Sequence, residues 1–438
     1  MNRRIVLFLF FLPILGFGQA QKWTLQQCIE YALENNLDVQ QSQIQSAIQE
    51  ENYLEQKQSI YPNLNFTSSY TNNFGLYVDP FTNELQKQKR TLNISMGLSA
   101  GVTLFSGLST HHSIQSSKLN FESSVMSYEA IKNDISLNIS TAFLTILFNK
   151  EILKVAEDQV KVTTEQVART SELVNAGTLP RGNLFDIQAQ LATEEQNLVA
   201  AENELLNSLL NLAQLLQLDQ VSGFDIVTPV LDFRDERLMQ LSPDQIFTTA
   251  VENQPIIRSA QLDILSAEHG LSAARGGYYP SLFLNLGMNS GATDITPDPI
   301  SSQLGDNISE RITLTLSVPI YNRRQVKSAV NRSELNLLSN KMRLEQQKNQ
   351  LLQTIQRAYL DAVSSRKQYE ADVKSVEALQ ESFTYTEERF NVGVVNTLDY
   401  NTAKNNLTRA ESNLLRSKYD YIFKMMVLEF YYSNKISL

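Results

Sequence analysis

The segment 92-LNISMGLSAGVTL-104 alternates along its whole length. Leu92, Ile94, Met96, Leu98, Ala100, Val102 and Leu104 fall on one side of an extended chain; Asn93, Ser95, Gly97, Ser99, Gly101 and Thr103 fall on the other. Successive side chains of a strand point to opposite faces, so the segment predicts a strand with one apolar and one small polar face. The stretch 311-RITLTLSV-318 repeats the pattern, with Ile312, Leu314, Leu316 and Val318 opposed to Arg311, Thr313, Thr315 and Ser317. Residues 63–76 and 281–290 follow more loosely, through Leu64, Phe66 and Tyr70 and through Leu282, Leu284, Leu286 and Met288. A half-buried sheet in a soluble protein alternates too. Short alternating segments with small polar partners are also how a barrel faces lipid outward and a wet lumen inward. The aromatics decide between the two. Tyr61, Phe105, Tyr278, Tyr279 and Tyr321 all fall at the same end of their strands, as an interfacial girdle does. Outer-membrane lipid is therefore the expected surround of these strands. The polar loops 77–90 and 291–309 would face outside the cell. Asp294, Asp298 and Asp306 in the second loop lack calcium-loop spacing and predict a solvated loop.

The chain's start agrees with export. Arg3 and Arg4 precede the apolar run Ile5–Leu15, and Gly16, Gly18 and Ala20 follow as small residues at a cleavage site. Residues 1–20 are expected to be a signal peptide, since the run is short for a membrane span and is broken by Pro13. The one cysteine, Cys28, allows no intramolecular disulfide and lies past the cleavage site, in a helical pattern. A net charge of −10 argues against a nucleic-acid partner. No later apolar run suits a membrane helix, so an integral contact with lipid must be made by strands.

The strands belong to a unit written twice. At an offset of 218, Ala32 falls on Ala250, Asn35 on Asn253, Glu50 on Glu268, Tyr61 on Tyr279 and Pro62 on Pro280. At 216, 102-VTLFS-106 meets 318-VPIYN-322 and Gly177 meets Gly393. Residues 21–216 form the first repeat: strands 63–76 and 91–105, a long helix 107–176, a hairpin 177–183 and a returning helix 184–216. An equatorial connector, 217–241, contains 224-FDIVTPV-230. Residues 242–438 form the second repeat: strands 281–290 and 310–319, a long helix 322–391, a hairpin 392–397 and a returning helix 398–432. A single helix leads into the strands of each repeat.

Ile187, Leu191, Glu194, Leu198, Ala201, Leu205, Ser208, Leu212 and Leu215 step by three and four, as do Ile355, Tyr359, Ala362, Arg366, Tyr369, Val373, Val376, Gln380 and Phe383. These are seams of coiled-coil packing, broken by polar residues where helices line something wet. The brief break at 389-RFNVGVVNTLDYNTAKNNL-407, matched by 175-NAGTLPRGNLFDIQAQ-190, is a turn between two such helices. Gly177 and Gly393 are expected as left-handed C-terminal caps, and Asn183 and Thr397 as the N-caps of the returning helices. Asp399 in the next first turn suits the helix dipole.

With its duplication, paired strands, long helices and the pattern G-x-x-N-T-x-D-Y-x-x-A at 393–403, the chain resembles the TolC-like outer membrane efflux proteins over essentially its whole mature length. Four strands per chain cannot close a barrel; the strands alone allow two copies or three. The resemblance implies a homotrimer with a shared twelve-stranded barrel, continued by a periplasmic helical tube. It also implies a passive duct that takes substrate from an inner-membrane pump through a periplasmic adaptor. The adaptor would dock on the hairpins at Gly177, Thr178, Leu179, Gly393, Val394, Asn396 and Thr397. Asp399, Asn183, Thr402 and Asp186 would form the periplasmic gate, where three Asp399 side chains converge. The chain departs from the family in having Asn183 where Asp is common, Thr402 where a second Asp can follow, and no Arg near Val394 and Val395.

Other function classes fare worse. The three histidines, His111, His112 and His269, form no catalytic signature, and His111 and His112 do not share a helix face. No HExxH, GxSxG or Gly-rich phosphate loop occurs, so neither catalysis nor a cofactor or metal is expected. A structural or adhesive coiled-coil envelope protein explains the helices but not the leader, strands or duplication. No residue names the exported substrate.

Overall fold

A computed structural model describes residues 22–78, 83, 85–86, 90–218, 223–229 and 236–434. The expected leader at 1–20, and parts of the loop 77–90 and the connector 217–241, lie outside the described residues. The first half contains α1 (Leu25–Asn35), α2 (Leu37–Gln58), β1 (Asn63–Asn73), β2 (Tyr77–Val78), β3 (Leu85–Gln86), β4 (Thr91–Ser106), α3 (Ser109–Asn175) and α4 (Arg181–Leu216). After a short 3-10 helix (Glu236–Gln240), the second contains α5 (Pro243–Asn253), α6 (Pro255–Gly276), β5 (Ser281–Thr293), α7 (Ile300–Asp306), β6 (Ser309–Ser317), α8 (Gln325–Asn391) and α9 (Thr397–Ser433). Two compact units result: Met1–Gln40, Ile131–Asn253 and Leu351–Leu438 in one, Gln41–Ala130 and Gln254–Gln350 in the other. Each unit draws on both sequence halves, so the repeats are not themselves the compact units.

The second unit carries a four-stranded antiparallel sheet in the order β1-β4-β5-β6. Its register keeps like faces together. Leu64, Ala100, Leu286 and Ile312 form one cross-strand row, and Asn63, Gly101, Asn285 and Thr313 another, one residue along. A one-residue slip would mix the faces. On the apolar face Leu64, Phe66, Ile312 and Leu314 are exposed. On the polar face the rows are tight: a Cβ added at Gly97 would lie 2.8 Å from Asn289 Oδ1. A bulge between Thr103 and Phe105 ends the regular register. The sheet is open, and β1 and β6 each keep one edge without a strand partner among the described residues.

Several boundaries differ from the sequence reading. The expected single leading helix is two helices in each half. Asn36 is extended, and its side chain accepts from the N–H groups of Asp38 and Val39 at 2.9 and 3.4 Å, which starts α2 anew. Pro255 does the same for α6 by holding Gln254 out of the helical region. The long helices begin two and three residues later than expected, because each is preceded by two left-handed residues: Gly107 and Leu108 before α3, Arg323 and Arg324 before α8. Leu108, Arg323 and Arg324 carry a strain that glycine would not. Loop 291–309 is not simply solvated. It holds α7, and Asp294 Oδ1 accepts from the Leu92 N–H at 2.7 Å.

The first unit is helical. Leu25, Cys28 and Ala32 of α1 pack with Ile139, Phe143 and Leu147 of α3, Leu212 and Leu216 of α4, and Met426 of α9. Burial pushes the Cys28 thiol up to about 12, so it is an inert core residue. Residues 223–229 close this core through a parallel bridge between Trp23 and Ile226. Asp225 anchors it to Lys150 and Lys22 at 2.5 and 3.2 Å. Burial pushes the Asp225 carboxyl up, but hydrogen bonds from Lys150 and the Ile226 N–H outweigh it and hold the group below the usual range. Along α4 the buried residues Ile187, Glu194, Ala201 and Ser208 recur every seventh position, the spacing that keeps one stripe of a helix inward.

Candidate functional site: the paired hairpins

Both hairpins lie in the helical unit, and both are closed the same way. Gly177 and Gly393 have φ of 75° and 76°. Thr178 N–H donates to Leu173 O and Val394 N–H to Arg389 O, each at 2.9 Å; the glycine N–H groups donate to Val174 O and Phe390 O at 3.1 and 3.0 Å. These are two Schellman caps, which satisfy the last carbonyls of α3 and α8. Thr178 Oγ1 adds a second bond to Leu173 O, at 2.7 Å.

The returning helices start differently from expectation. Pro180, not Asn183, is the N-cap of α4, and it offers no side-chain bond. Asn183 is already the third helical residue, because proline's fixed φ suits a helix entrance. At the second hairpin the cap is Asn396, not Thr397: its side chain accepts from the Asp399 N–H at 2.8 Å. Thr397 is buried at 2% exposure, and its hydroxyl has no hydrogen-bond partner among the described residues.

Between the hairpins lies a cleft of about 1010 Å³. Thr178, Leu179 and Asn183 line it from the first hairpin, and Gly393, Val394, Asn396 and Asp399 from the second. Asp186 and Thr402 are not part of its wall. Asp186 is exposed on the second turn of α4, and the Thr402 hydroxyl bonds back to Leu398 O at 2.8 Å. Three charged side chains that the sequence reading passed over also line the cleft: Arg169, Glu172 and Arg389. They stand on the descending helices, Arg169 about two turns and Glu172 and Arg389 about one turn before the caps, where only three-dimensional pairing brings them to the tips. Arg169 Nη1 donates to Asn391 Oδ1 at 3.0 Å and joins the end of α3 to the end of α8.

Behind the cleft, Tyr400 anchors α9. Its ring is 2% exposed and stacks on Phe390 at 4.7 Å, with Phe383 at 5.5 Å. Burial, then the charges of Glu387 and Glu194, push its phenol up to about 12. Tyr400 is thus a neutral wedge, and Asp399 beside it stays exposed. The arrangement holds no catalytic constellation; what it offers is a polar, charged cleft on rigid helix ends.

The chain is similar to known proteins in sequence and in fold. The sequence profile of the family described as outer membrane efflux protein matches residues 28–217 and 247–424. The chain is 23% identical over 380 residues to the outer membrane protein TolC of Vibrio cholerae serotype O1, covering 85% of this chain and 82% of that protein. It is 21% identical over 308 residues to the TolC of Escherichia coli K12, covering 69% of this chain and 62% of that protein. Its fold superposes on the CmeC outer membrane channel of Campylobacter jejuni with a TM-score of 0.80 at 18% identity, over 94% of this chain and 86% of that one.

Proposed function

The chain belongs to the outer membrane efflux protein family, and from that premise we propose that it is the outer membrane exit duct of a tripartite efflux or type I secretion system. Three copies close a twelve-stranded barrel, and the duct is passive and non-enzymatic. Substrate enters from an inner-membrane pump by way of a periplasmic adaptor. The observation that carries this reading is the open sheet. Its apolar face is exposed across all four strands, with Leu64, Phe66, Leu98, Leu286, Met288, Ile312 and Leu314 outward. In hydrocarbon, unpaired edge N–H and C=O groups cost several kcal/mol each, so such a sheet needs further strands on both sides, and copies of itself supply them.

The twin hairpins support the rest. Two Schellman caps at matched positions present backbone and small side chains around a cleft, the kind of surface on which the helical hairpins of an adaptor dock. Gly177, Thr178, Leu179, Gly393, Val394 and Asn396 form that surface, and Thr397 supports it from within. Asp399, Asn183, Thr402 and Asp186 form the periplasmic gate, with Asp399 and Asn183 on the wall of the cleft. The test is native mass measurement of the detergent-extracted outer-membrane fraction, followed by cross-linking to a periplasmic adaptor co-expressed with it. A trimer that cross-links through the hairpins is expected. A monodisperse soluble monomer overturns the proposal.

A further inference from the structure

Of the three histidines of the chain, His112 and His269 meet in the unit that carries the sheet. His112 lies in the first turn of α3, and His269 lies two turns before the end of α6. Their Nδ1 atoms are 3.0 Å apart, with ring centroids at 5.3 Å and planes tilted by 37°. The His111 ring lies 5.5 Å from that of His112. A seam of small polar residues holds the two helices together. Ser116 Oγ meets Ser266 Oγ at 2.9 Å, and Ser259 Oγ meets both Ser123 Oγ and Ser127 Oγ at 2.9 Å. Serine's small volume lets α3 and α6 approach closely, so the imidazoles sit on a rigid two-helix frame rather than on a loop.

The Nδ1 spacing serves two purposes. As a hydrogen bond, one neutral imidazole donates and the other accepts. Two nitrogens that each bind one metal ion at about 2.0–2.1 Å stand about 2.9 Å apart at a right angle and about 3.4 Å apart at the tetrahedral angle. The observed separation falls in that window without movement of either helix. We propose that His112 and His269 form, through their Nδ1 atoms, a two-imidazole site for a first-row divalent transition-metal ion such as Cu2+ or Zn2+, which ties α3 to α6.

Binding replaces the shared proton. The donor imidazole changes tautomer, its proton passing through solvent to Nε2, so a neutral pair takes up the ion without net proton release. A metal ligand must be a neutral imidazole, and the 3.0 Å contact between the two Nδ1 atoms already needs at least one ring neutral, so that it can accept. No three His, Cys, Asp or Glu side chains converge on a metal-sized site among the described residues. The protein therefore gives two donors and solvent completes the shell, which makes the ion exchangeable rather than structural. Imidazole favours copper, nickel and zinc over the hard oxygen-seeking cations. The tie would fall where α3 leaves β4 and α6 enters β5, the strand pair at which the two sequence halves meet.

The test uses full-length protein in detergent, purified on a tag without histidine, and titrated with Cu2+ under electron paramagnetic resonance. Apart from these three residues the chain has no imidazole, so nitrogen hyperfine structure from imidazole has no other source. One Cu2+ per chain with two imidazole nitrogens is expected. His112→Gln and His269→Gln should each lose that signal, and His111→Ala should keep it. Zn2+ should raise the melting temperature of the wild type and leave that of His269→Gln unchanged. A wild-type spectrum without imidazole nitrogen, or a two-nitrogen spectrum that survives both Gln variants, overturns the site.

Discussion

Lys404 of α9 and Glu194 of α4 face each other 4.0 Å apart, with 5% of each side chain exposed, and the hydroxyl of Thr163 lies between them. Lys404 Nζ donates to Thr163 Oγ1 at 2.7 Å, and that hydroxyl in turn donates to Glu194 Oε2. Gln190 steadies the other carboxylate oxygen at 2.9 Å. Burial holds the Lys404 ammonium below its ordinary pKa, against the pull of Glu194 and Glu387. Two charges buried together cost desolvation that their attraction roughly offsets, whereas one alone is strongly destabilising, by about 3–5 kcal/mol. Lys404→Met should therefore lower the melting temperature sharply, and Lys404→Met with Glu194→Leu should recover most of the loss. A double-mutant cycle reads this directly. Strictly additive effects would mean that the two residues do not act as a pair.

Thr397 and Asn396 make opposite predictions, although both are small polar residues at a helix start. Asn396 caps α9 through its side chain, so Asn396→Ala should cost about 1 kcal/mol. Thr397 buries a hydroxyl without a partner. Replacing an unsatisfied buried group by an apolar one of the same shape is neutral or stabilising, so Thr397→Val should hold or raise the melting temperature. A loss at Thr397→Val as large as at Asn396→Ala would restore Thr397 as the cap.

What the sequence revealed follows from the range of each signal. The strand faces were legible because a period of two is set by the backbone itself, and the register observed across β1, β4, β5 and β6 keeps like faces together. The glycine turns were legible because few residues accept φ near 75°. Helix starts were not. Asn183 and Thr397 have the composition of caps, but Pro180 and Asn396 occupy the cap positions, and nothing in a list of capping residues ranks neighbours one to three apart. The left-handed pairs Gly107–Leu108 and Arg323–Arg324 were hidden for the same reason: Leu and Arg carry no mark of that conformation. Arg169 at the cleft and His269 against His112 were out of reach altogether. Each depends on pairing between segments more than a hundred residues apart, which a local pattern does not encode.

At Gly393 the constraint is conformational rather than steric. An added Cβ meets nothing within 4 Å, yet φ is +76°. Gly393→Val should then cost more than the roughly 1–2 kcal/mol of an ordinary left-handed residue, because β-branching adds to it. The turn would relax into another shape. Assembly in the membrane should survive while export fails, and Gly393→Asn should be far milder. Export assays alongside native mass measurement separate the two effects. Normal export by Gly393→Val would show that the tip geometry is dispensable.

The sheet gives a matched pair of substitutions at adjacent positions. Leu98 lies on the apolar face between Phe66 and Met288, and Ser99 on the polar face between Asn65 and Gly287. Arginine at a lipid-facing midplane position costs about 2–4 kcal/mol. Leu98→Arg should block assembly. Ser99→Arg, next to the side-chain-free Gly287, should assemble and narrow the lumen. Heat-resistant oligomer on gels measures the first and single-channel conductance the second. Equal assembly by both would mean that the faces are reversed or that the sheet does not meet lipid.

Asp399 carries the sharpest question at the hairpins. Its N–H is already satisfied by Asn396, and its carboxylate is exposed on the wall of the cleft. As a residue of the first turn of α9 it favours the helix dipole by about 0.3–1 kcal/mol. In a trimer that narrows at the hairpins, three such carboxylates would gather and concentrate cations. The two roles separate in Asp399→Asn, which keeps shape and hydrogen bonding but removes the charge. Recording single channels in planar bilayers, we expect the variant to lose cation preference and to resist block by multivalent cations. Arg169 and Arg389 on the same cleft oppose the ring, so Arg389→Gln should strengthen the preference that Asp399→Asn weakens. If selectivity and block are the same in Asp399→Asn as in the wild type, no charged ring exists and Asp399 is a helix-start residue only.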